Sequence, residues 1–436
     1  MDKMQPNRMD EVIQSYVKDQ EFMGSALVSR DKDILLSKGY GFANLEWNIP
    51  NTPKTKYRLG SLTKQFTAAA ILLLEERGLL KTEDFISQHL PNAPAAWKNI
   101  KIFHLLNHTH GIPNYTQFPE FRAITAFKKT PLEQVQLLID KPLDFEPGTK
   151  YVYNNSGYVL LGYLLEVLSS QSYEAFLQEH IFNPLGMQDS GYDSHTDIIP
   201  HRAGGYSKDD VGVVTNADYL DMSLPYAAGS LYSTTEDLLK WTQGLFNGNL
   251  LSLQSLDKMT KPFKESYGFG VEINMTDEIK MISHIGGING FNTMLIYCPE
   301  TKASIVVLSN LNTIGYVWDI GFLAKNIALK LMALVHGRKV ILPLEKRDTR
   351  VSSSVLEQYV GLYETKPNMN LEITLENGQL EARFAEQSPI LLLAESETVF
   401  YAKIPDIELK FLKNEKNTVT HVNLSQSGYE LLGTKV

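Results

Sequence analysis

The sequence predicts an α/β (α+β) protein: an antiparallel sheet covered by helices, with a helical subdomain, followed by a small up-and-down β-barrel. Three observations carry the prediction. Strand-like apolar patterns stand at both ends of the stretch up to residue 309, with helical text between them, the order expected of one sheet covered by helices. From Leu371 onward apolar and polar residues alternate with period two, and short strand patterns continue to the C-terminus. A length of 436 residues exceeds what one ordinary core organises, so two domains are expected. Their limits are set at 1–337 and 354–436, joined over 338–353 by a polar, basic linker ending in Ser352-Ser353.

Taken in order, Met9, Val12, Ile13 and Val17 fall near helical spacing and predict an amphipathic helix. Two strands follow, Ser25–Ser29 and Asp33–Gly39, around the charged turn Arg30-Asp31-Lys32. After the loop Asn48–Lys56 comes Arg58-Leu59-Gly60-Ser61-Leu62-Thr63-Lys64, and then a run of helix formers from Ala68 to Arg77 that Gly78 stops. Leu80 to Asp144 is helical text punctuated by prolines; the turn Glu146-Pro147-Gly148-Thr149 leads to a further helix over Tyr158–Leu168. Asp189 to Gly229 is too rich in glycine and turn residues to assign. Ser233-Thr234-Thr235-Glu236 reads as a capping box with Ser233 as the cap. Strands are expected at Gly268–Ile273, Met281–His284, Asn292–Tyr297 and Ala303–Ser309, and a helix from about Ile320 to His336. The final domain reads as roughly eight short strands, with Asn377-Gly378 as a hairpin turn. Such a barrel either holds a ligand or is filled by its own side chains.

Composition narrows the function classes. Charged residues make up 21% and hydrophobic residues 43% of the chain, proportions of a globular protein rather than a disordered one. A net charge of −9 argues against nucleic acid as the main partner, because phosphate contacts need a basic surface. The single cysteine, Cys298, excludes an internal disulfide and a zinc ribbon, and reads as a half-buried strand residue. Residues 1–24 lack the apolar core of a secretory signal, and no uncharged apolar run reaches spanning length. A cytoplasmic location is expected, although a chain whose signal had been removed would read the same.

Chemistry is suggested first by Ser61-Leu62-Thr63-Lys64. A serine at a helix start meets free backbone N–H groups and the positive dipole end, which favour an oxyanion. Lys64, one turn on, shares a face with Ser61, and a desolvated lysine can act as the base a serine needs. The pattern alone is weak, since Ser29/Lys32 and Ser255/Lys258 also match and Ser61 can equally be a plain helix cap. Tyr153 and Asn155, in a loop just before a helix, offer a proton-relaying hydroxyl and an amide that can grip a substrate; packing and capping are the structural alternatives. In His284-Ile285-Gly286-Gly287 the glycines let backbone approach a substrate and offer N–H groups to an oxyanion; an ordinary glycine-rich hairpin is the alternative. His104 and His108, four apart, have a spacing that can bind zinc, but no glutamate accompanies them and structural histidines are the expected reading. No metal and no cofactor is expected.

Ser61-x-x-Lys64, Tyr153-x-Asn155 and His284-x-Gly286 appear in the order seen in the penicillin-recognising serine hydrolases, and the chain resembles their class C β-lactamase and D-peptidase/esterase branch. The likeness extends to Lys101 through Thr109, Phe145-Glu146-Pro147-Gly148, Asn183 through Met187, and Gly229 with Ser233 through Leu238. The last domain resembles the lipocalin-like appendage of some members. The resemblance implies a β-lactamase/transpeptidase-like fold and a metal-independent serine hydrolase working through an acyl-enzyme. It implies Ser61 as nucleophile, Lys64 and Tyr153 as the groups that move its proton, Asn155, His284 and Gly286 toward substrate, and the N–H of Ser61 and Gly287 as oxyanion hole. Which of Lys64 and Tyr153 is the base is disputed across these enzymes.

One departure bears on substrate. Where penicillin-binding proteins carry Lys-Thr-Gly, this chain has His284-Ile285-Gly286, and an imidazole is mostly neutral at pH 7. An ester, or a peptide or small amide with D-residues, is therefore expected ahead of a β-lactam or a D-Ala-D-Ala terminus. The alternatives are a β-lactamase or DD-carboxypeptidase, or a non-catalytic penicillin- or ligand-binding scaffold. Oligomeric state is not legible.

Overall fold

The structure is a computed structural model that describes residues 4–18, 20–90, 92–209, 212–276, 278–313, 323–340, 342, 349–366, 369–384, 389–402, 407–426 and 429–436. The chain divides into two compact units, one of residues 22–207 and 215–312, the other of residues 1–21, 208–214 and 313–436. The architecture is the mixed α/β fold expected, with a barrel-like sheet toward the C-terminus.

The larger unit is built on a six-stranded antiparallel sheet. Its order is Glu272–Thr276, Ile279–Ile288, Phe291–Cys298, Ala303–Ser309, Gly24–Arg30, Asp33–Tyr40. Every residue of Phe291–Cys298 and of Ala303–Ser309 is buried, so these strands carry the apolar stretches Met294–Cys298 and Ile305–Leu308 rather than an alternation. Cys298 is accordingly wholly buried, not half-buried as expected. Helix Thr235–Phe246 lies on one face of the sheet: Thr242 and Ser304 exchange a hydroxyl hydrogen bond of 2.8 Å, and Phe246 stacks on Tyr297 at 4.1 Å. Its N-cap is Thr234, which accepts from the Asp237 N–H; Ser233 instead ends a strand.

At the centre of this unit helix Thr63–Glu76 is buried continuously from Thr63 to Leu74. Its apolar text has no polar stripe, as suits a helix surrounded by protein. Phe66 stacks on Trp241 at 4.0 Å, and the Trp241 indole donates to Gln65. Helix Asn155–Ser169 begins three residues earlier than expected, because Asn154 caps it by accepting from the Ser156 N–H. The strand expected at Gly268–Ile273 instead runs Glu272–Thr276. Gly270 has φ +68, and a Cβ there would lie 2.5 Å from the Lys64 carbonyl oxygen, so this segment turns close against the central helix before the strand begins. The unassigned stretch resolves into short pieces, among them strand Gly191–Tyr192 and helix Tyr226–Gly229.

In the second unit helices Met4–Lys18 and Leu323–Val335 pack together, and Arg8 donates to the Val340 carbonyl. The start of the latter helix expected at Ile320, and residues 343–348 of the expected linker, lie outside the described residues. Nine antiparallel strands form the other sheet, counted among the described residues, where roughly eight were expected. They run as an up-and-down meander in which the first and last, Gly361–Lys366 and Tyr429–Lys435, pair with each other. The extra strand arises because the expected Pro389–Leu393 is two short pieces, Ile390–Leu391 and Leu393–Ala394, which form the two ends of the sheet. Asn377 and Gly378 have φ of 49° and 81°, the left-handed pair an Asn-Gly hairpin turn requires. Phe411 contacts Tyr359, Phe400 and Tyr363 in the core of this sheet.

Candidate active site

Strand Tyr57–Arg58 leads into a single 3-10 turn, Gly60–Leu62, which carries Ser61 to the N-terminus of the central helix. The turn is held from two sides. Leu59 donates to Leu231, while its carbonyl accepts from the Thr293 hydroxyl at 2.8 Å. Gly60 has φ +54, and a Cβ there would stand 2.9 Å from both N and O of Gly287; a Cβ on Gly286 would stand 2.0 Å from Leu59 O. Glycines at 60 and 286 thus permit backbone-to-backbone contact between the serine turn and strand Ile279–Ile288. Ser61 is half-buried and Gly287 exposed, so both can meet a substrate.

The Lys64 amine lies 3.0 Å from Ser61 Oγ, 2.8 Å from Asn155 Oδ1 and 3.0 Å from Ala228 O. Its side chain has no solvent exposure, and burial holds its pKa well below the ordinary lysine value. Among the described residues, no carboxylate is a hydrogen-bond partner of this amine. The amine can donate to all three oxygens; once neutral, it keeps two N–H groups for Asn155 and Ala228 and has a lone pair free to accept from the Ser61 hydroxyl. Tyr153 has its ring 4.8 Å from the Lys64 nitrogen. Its hydroxyl is buried, with Ser61 as a polar neighbour, but no partner meets the distance and angle of a formed hydrogen bond. Burial raises its pKa, so it is a proton donor at neutral pH.

His284 is fully buried with both nitrogens engaged. Nδ1 lies 2.6 Å from the Ile285 carbonyl, an acceptor only, and therefore carries the proton; Nε2 accepts from the Tyr267 hydroxyl at 2.8 Å. Burial, and then the neighbouring Lys64, lower its pKa to about 3, so it is neutral at pH 7. His108 completes the cluster. It has φ +60, its Nδ1 accepts from the Asn154 N–H, and its carbonyl accepts from Val152, which ties down both sides of Tyr153. Its ring lies 4.4 Å from Tyr153 and 4.7 Å from Tyr267.

The structure therefore brings Ser61, Lys64, Tyr153 and Asn155 together, with Gly286 and Gly287 beside the serine turn and His284 behind. His104 and His108 do not form a pair: His104 Nδ1 accepts from Lys101 N and His108 Nδ1 from Asn154 N. Among the described residues no three His, Cys, Asp or Glu side chains gather as a metal site. Of the two competing Ser-x-x-Lys patterns, Ser29 lies within strand Gly24–Arg30, and Lys258 is paired with Glu75 at 2.9 Å. Sequence reasoning missed Tyr267 and the Ala228 carbonyl. The first has a signal, an aromatic residue directly before the turn glycines Gly268 and Gly270, just outside the strand expected at Gly268–Ile273; the second is backbone and has none.

Comparison with known proteins agrees with this picture. The family model described as Beta-lactamase matches residues 9–316, and one described as a domain of unknown function (DUF3471) matches residues 345–434. Penicillin-binding protein 4* of Bacillus subtilis is 30% identical over 420 residues, covering 91% of each chain. The octameric penicillin-binding protein homologue from Pyrococcus abyssi superposes with a TM-score of 0.69 at 26% identity, covering 98% of this chain and 99% of that one. D-amino acid amidase from Ochrobactrum anthropi superposes with a TM-score of 0.61 at 26% identity, over 70% of this chain and 92% of that one. A matched model spanning most of the chain, a relative similar over nearly its full length, and the fold itself place this protein in the Beta-lactamase family, and with it among the serine hydrolases.

Proposed function

We propose that the protein cleaves an ester or amide bond through an acyl-enzyme on Ser61, with Lys64 as the base. The observation that carries this is the buried amine 3.0 Å from Ser61 Oγ, its other contacts being two carbonyl oxygens. As Ser61 Oγ attacks the substrate carbonyl, its proton passes to the Lys64 lone pair, and the N–H groups of Ser61 and Gly287 receive the oxyanion. Tyr153, held protonated by burial, delivers a proton to the leaving group, and the amine returns to neutrality by passing its own proton on. In the second half, Lys64 takes a proton from water as the oxygen adds to the acyl carbonyl, and the protonated amine returns that proton to Ser61 Oγ as the adduct collapses and releases the acid. Asn155 orients both Lys64 and the substrate. The assignments of Asn155, Gly286 and Gly287 to substrate rest on their placement around Ser61.

A neutral, fully engaged His284 offers no cation for a carboxylate at that position, which supports esters and D-amino amides over β-lactams. His284 serves instead to hold Tyr267 against the aromatic cluster. The amidase neighbour supports the same class of substrate. In domain terms we assign the chemistry to residues 1–337, a linker to 338–353, and an appended barrel to 354–436. Among the described residues no helix is long and apolar enough to cross a membrane. Intact-protein mass spectrometry after treatment with a fluorophosphonate, and separately a penicillin, tests the reading. Phosphonate addition that disappears in Ser61→Ala is expected; equal labelling of that variant refutes the nucleophile.

A further inference from the structure

A cavity of about 390 Å³ lies among residues next to the serine turn in sequence, its walls including Arg58, His195, Arg202, Tyr219, Asn289 and Phe291. Arg58 precedes Ser61 by three residues and Asn289 follows Gly287 by two. Chain length alone therefore keeps their Cα atoms within about 11 Å and about 7 Å of those positions.

Two guanidinium groups in this wall share one carboxylate. Arg58 Nε donates to Asp193 Oδ2 at 2.5 Å; Arg202 Nη1 donates to Asp193 Oδ1 at 2.8 Å and to the Ser194 carbonyl at 2.9 Å. Asp193 has no exposure, and the Arg58 side chain is only 13% exposed. Among the described residues, Nη1 and Nη2 of Arg58 and Nε and Nη2 of Arg202 have no other hydrogen-bond partner. With Asp193 counted against them the two arginines leave one positive charge, which Asp218 in the same wall formally balances, in a chain whose net charge is −9. Asp218, which also lines the cavity, is exposed, and solvent screens it. Phe291 lies 5.9 Å from the Arg58 guanidinium, and the rings of Tyr219 and His195 in the same wall are 4.4 Å apart and tilted by 33°. Each guanidinium commits only one nitrogen to Asp193, and the N–H groups that remain on its planar fork match a second carboxylate.

We propose that this cavity is an anion subsite of the hydrolase, holding a carboxylate of the substrate while the scissile carbonyl sits at Ser61. The proposal rests on the Ser61 reading above and narrows its substrate class to acidic esters or amides, with the carboxylate a few bonds from the cleaved carbonyl.

The test compares paired esters. On the acyl side, mono-p-nitrophenyl succinate, glutarate and adipate are each set against their methyl esters; on the leaving-group side, 4-acetoxybenzoate is set against methyl 4-acetoxybenzoate. For at least one pair, kcat/KM should favour the carboxylate by about tenfold or more, the size of one charge-assisted hydrogen bond. Arg202→Gln should bring that ratio toward one. Because Arg202 also supports buried Asp193, Asn289→Asp serves as a second variant: it adds a negative charge to the wall without touching that pair and should lower the same ratio. Ratios near one for every pair, with Ser61 still labelled by a fluorophosphonate, overturn the subsite and leave the nucleophile standing. A preference unchanged in both variants overturns the cavity's role. Loss of all labelling and turnover overturns the Ser61 reading, and the subsite with it.

Discussion

Replacing Lys64 separates a base from a mere cation. Lys64→Met removes the amine while nearly conserving length and burial. The acylation step loses its proton acceptor, and general-base catalysis is worth roughly 10²–10⁴ in rate. Asn155 also loses the partner that holds its side chain at 2.8 Å, so the fall should reach the upper end of that range. Stability should change much less. The Asn155 and Ala228 oxygens each lose a hydrogen bond, at about 1–3 kcal/mol apiece if left unsatisfied, but the cost of burying an amine disappears with it. Lys64→Arg is the sharper control, because guanidinium keeps the charge and cannot deprotonate near neutral pH. The assay is the rate of fluorophosphonate addition followed by mass spectrometry, with a thermal melt of each variant. Acylation within about tenfold of wild type in Lys64→Arg would refute the base assignment; the tenfold limit corresponds to about 1.4 kcal/mol of barrier. A variant that melts like wild type but acylates thousands of times more slowly is the expected result.

The same amine sets the acid limb of the pH profile. Burial lowers the Lys64 pKa, so the base is neutral and active above that value and is lost as pH falls through it; kcat/KM should reach its plateau far below the ordinary lysine value of 10.5. A limb that rises only near that value would refute the desolvated-amine argument. Tyr153→Phe removes a buried hydroxyl without a formed hydrogen bond, so the melting temperature should hardly move while turnover drops by about 10²–10⁴, read with one ester in steady state. Gly60→Ala places a Cβ 2.9 Å from Gly287 at φ +54; strain of about 1–3 kcal/mol and a loss of oxyanion geometry should appear together in the melt and in kcat. Phe411→Ala opens the core of the C-terminal sheet, where Tyr359 stacks at 4.2 Å, and should cost that unit about 3–5 kcal/mol in calorimetry.

Much of this protein was legible because its signals are local. The apolar runs at Asn292–Tyr297 and Ala303–Ser309, the Asn377-Gly378 turn and the helix that follows Ser61 each depend on a few neighbouring residues, and each stands nearly where expected. The strand expected at Gly268–Ile273 moved because Gly270 must pass close to the Lys64 carbonyl, a long-range contact that no local propensity records. The cap at Thr234 rather than Ser233 is a one-residue shift within a run of three capping-competent residues, where pattern cannot choose.

The sequence by itself determined the family, the order Ser61, Lys64, Tyr153, Asn155 and His284, and the absence of a lysine where a substrate carboxylate would otherwise be held. Tertiary structure alone decided the protonation states and the partners. Folding removes Lys64 from water, and burial lowers its pKa; Tyr267 and Ile285 occupy both nitrogens of the buried His284. The two arginines that face one aspartate come from positions 58 and 202, and only the fold sets them side by side. Charge and acidity depend on what surrounds a group in space, and sequence order carries little of that.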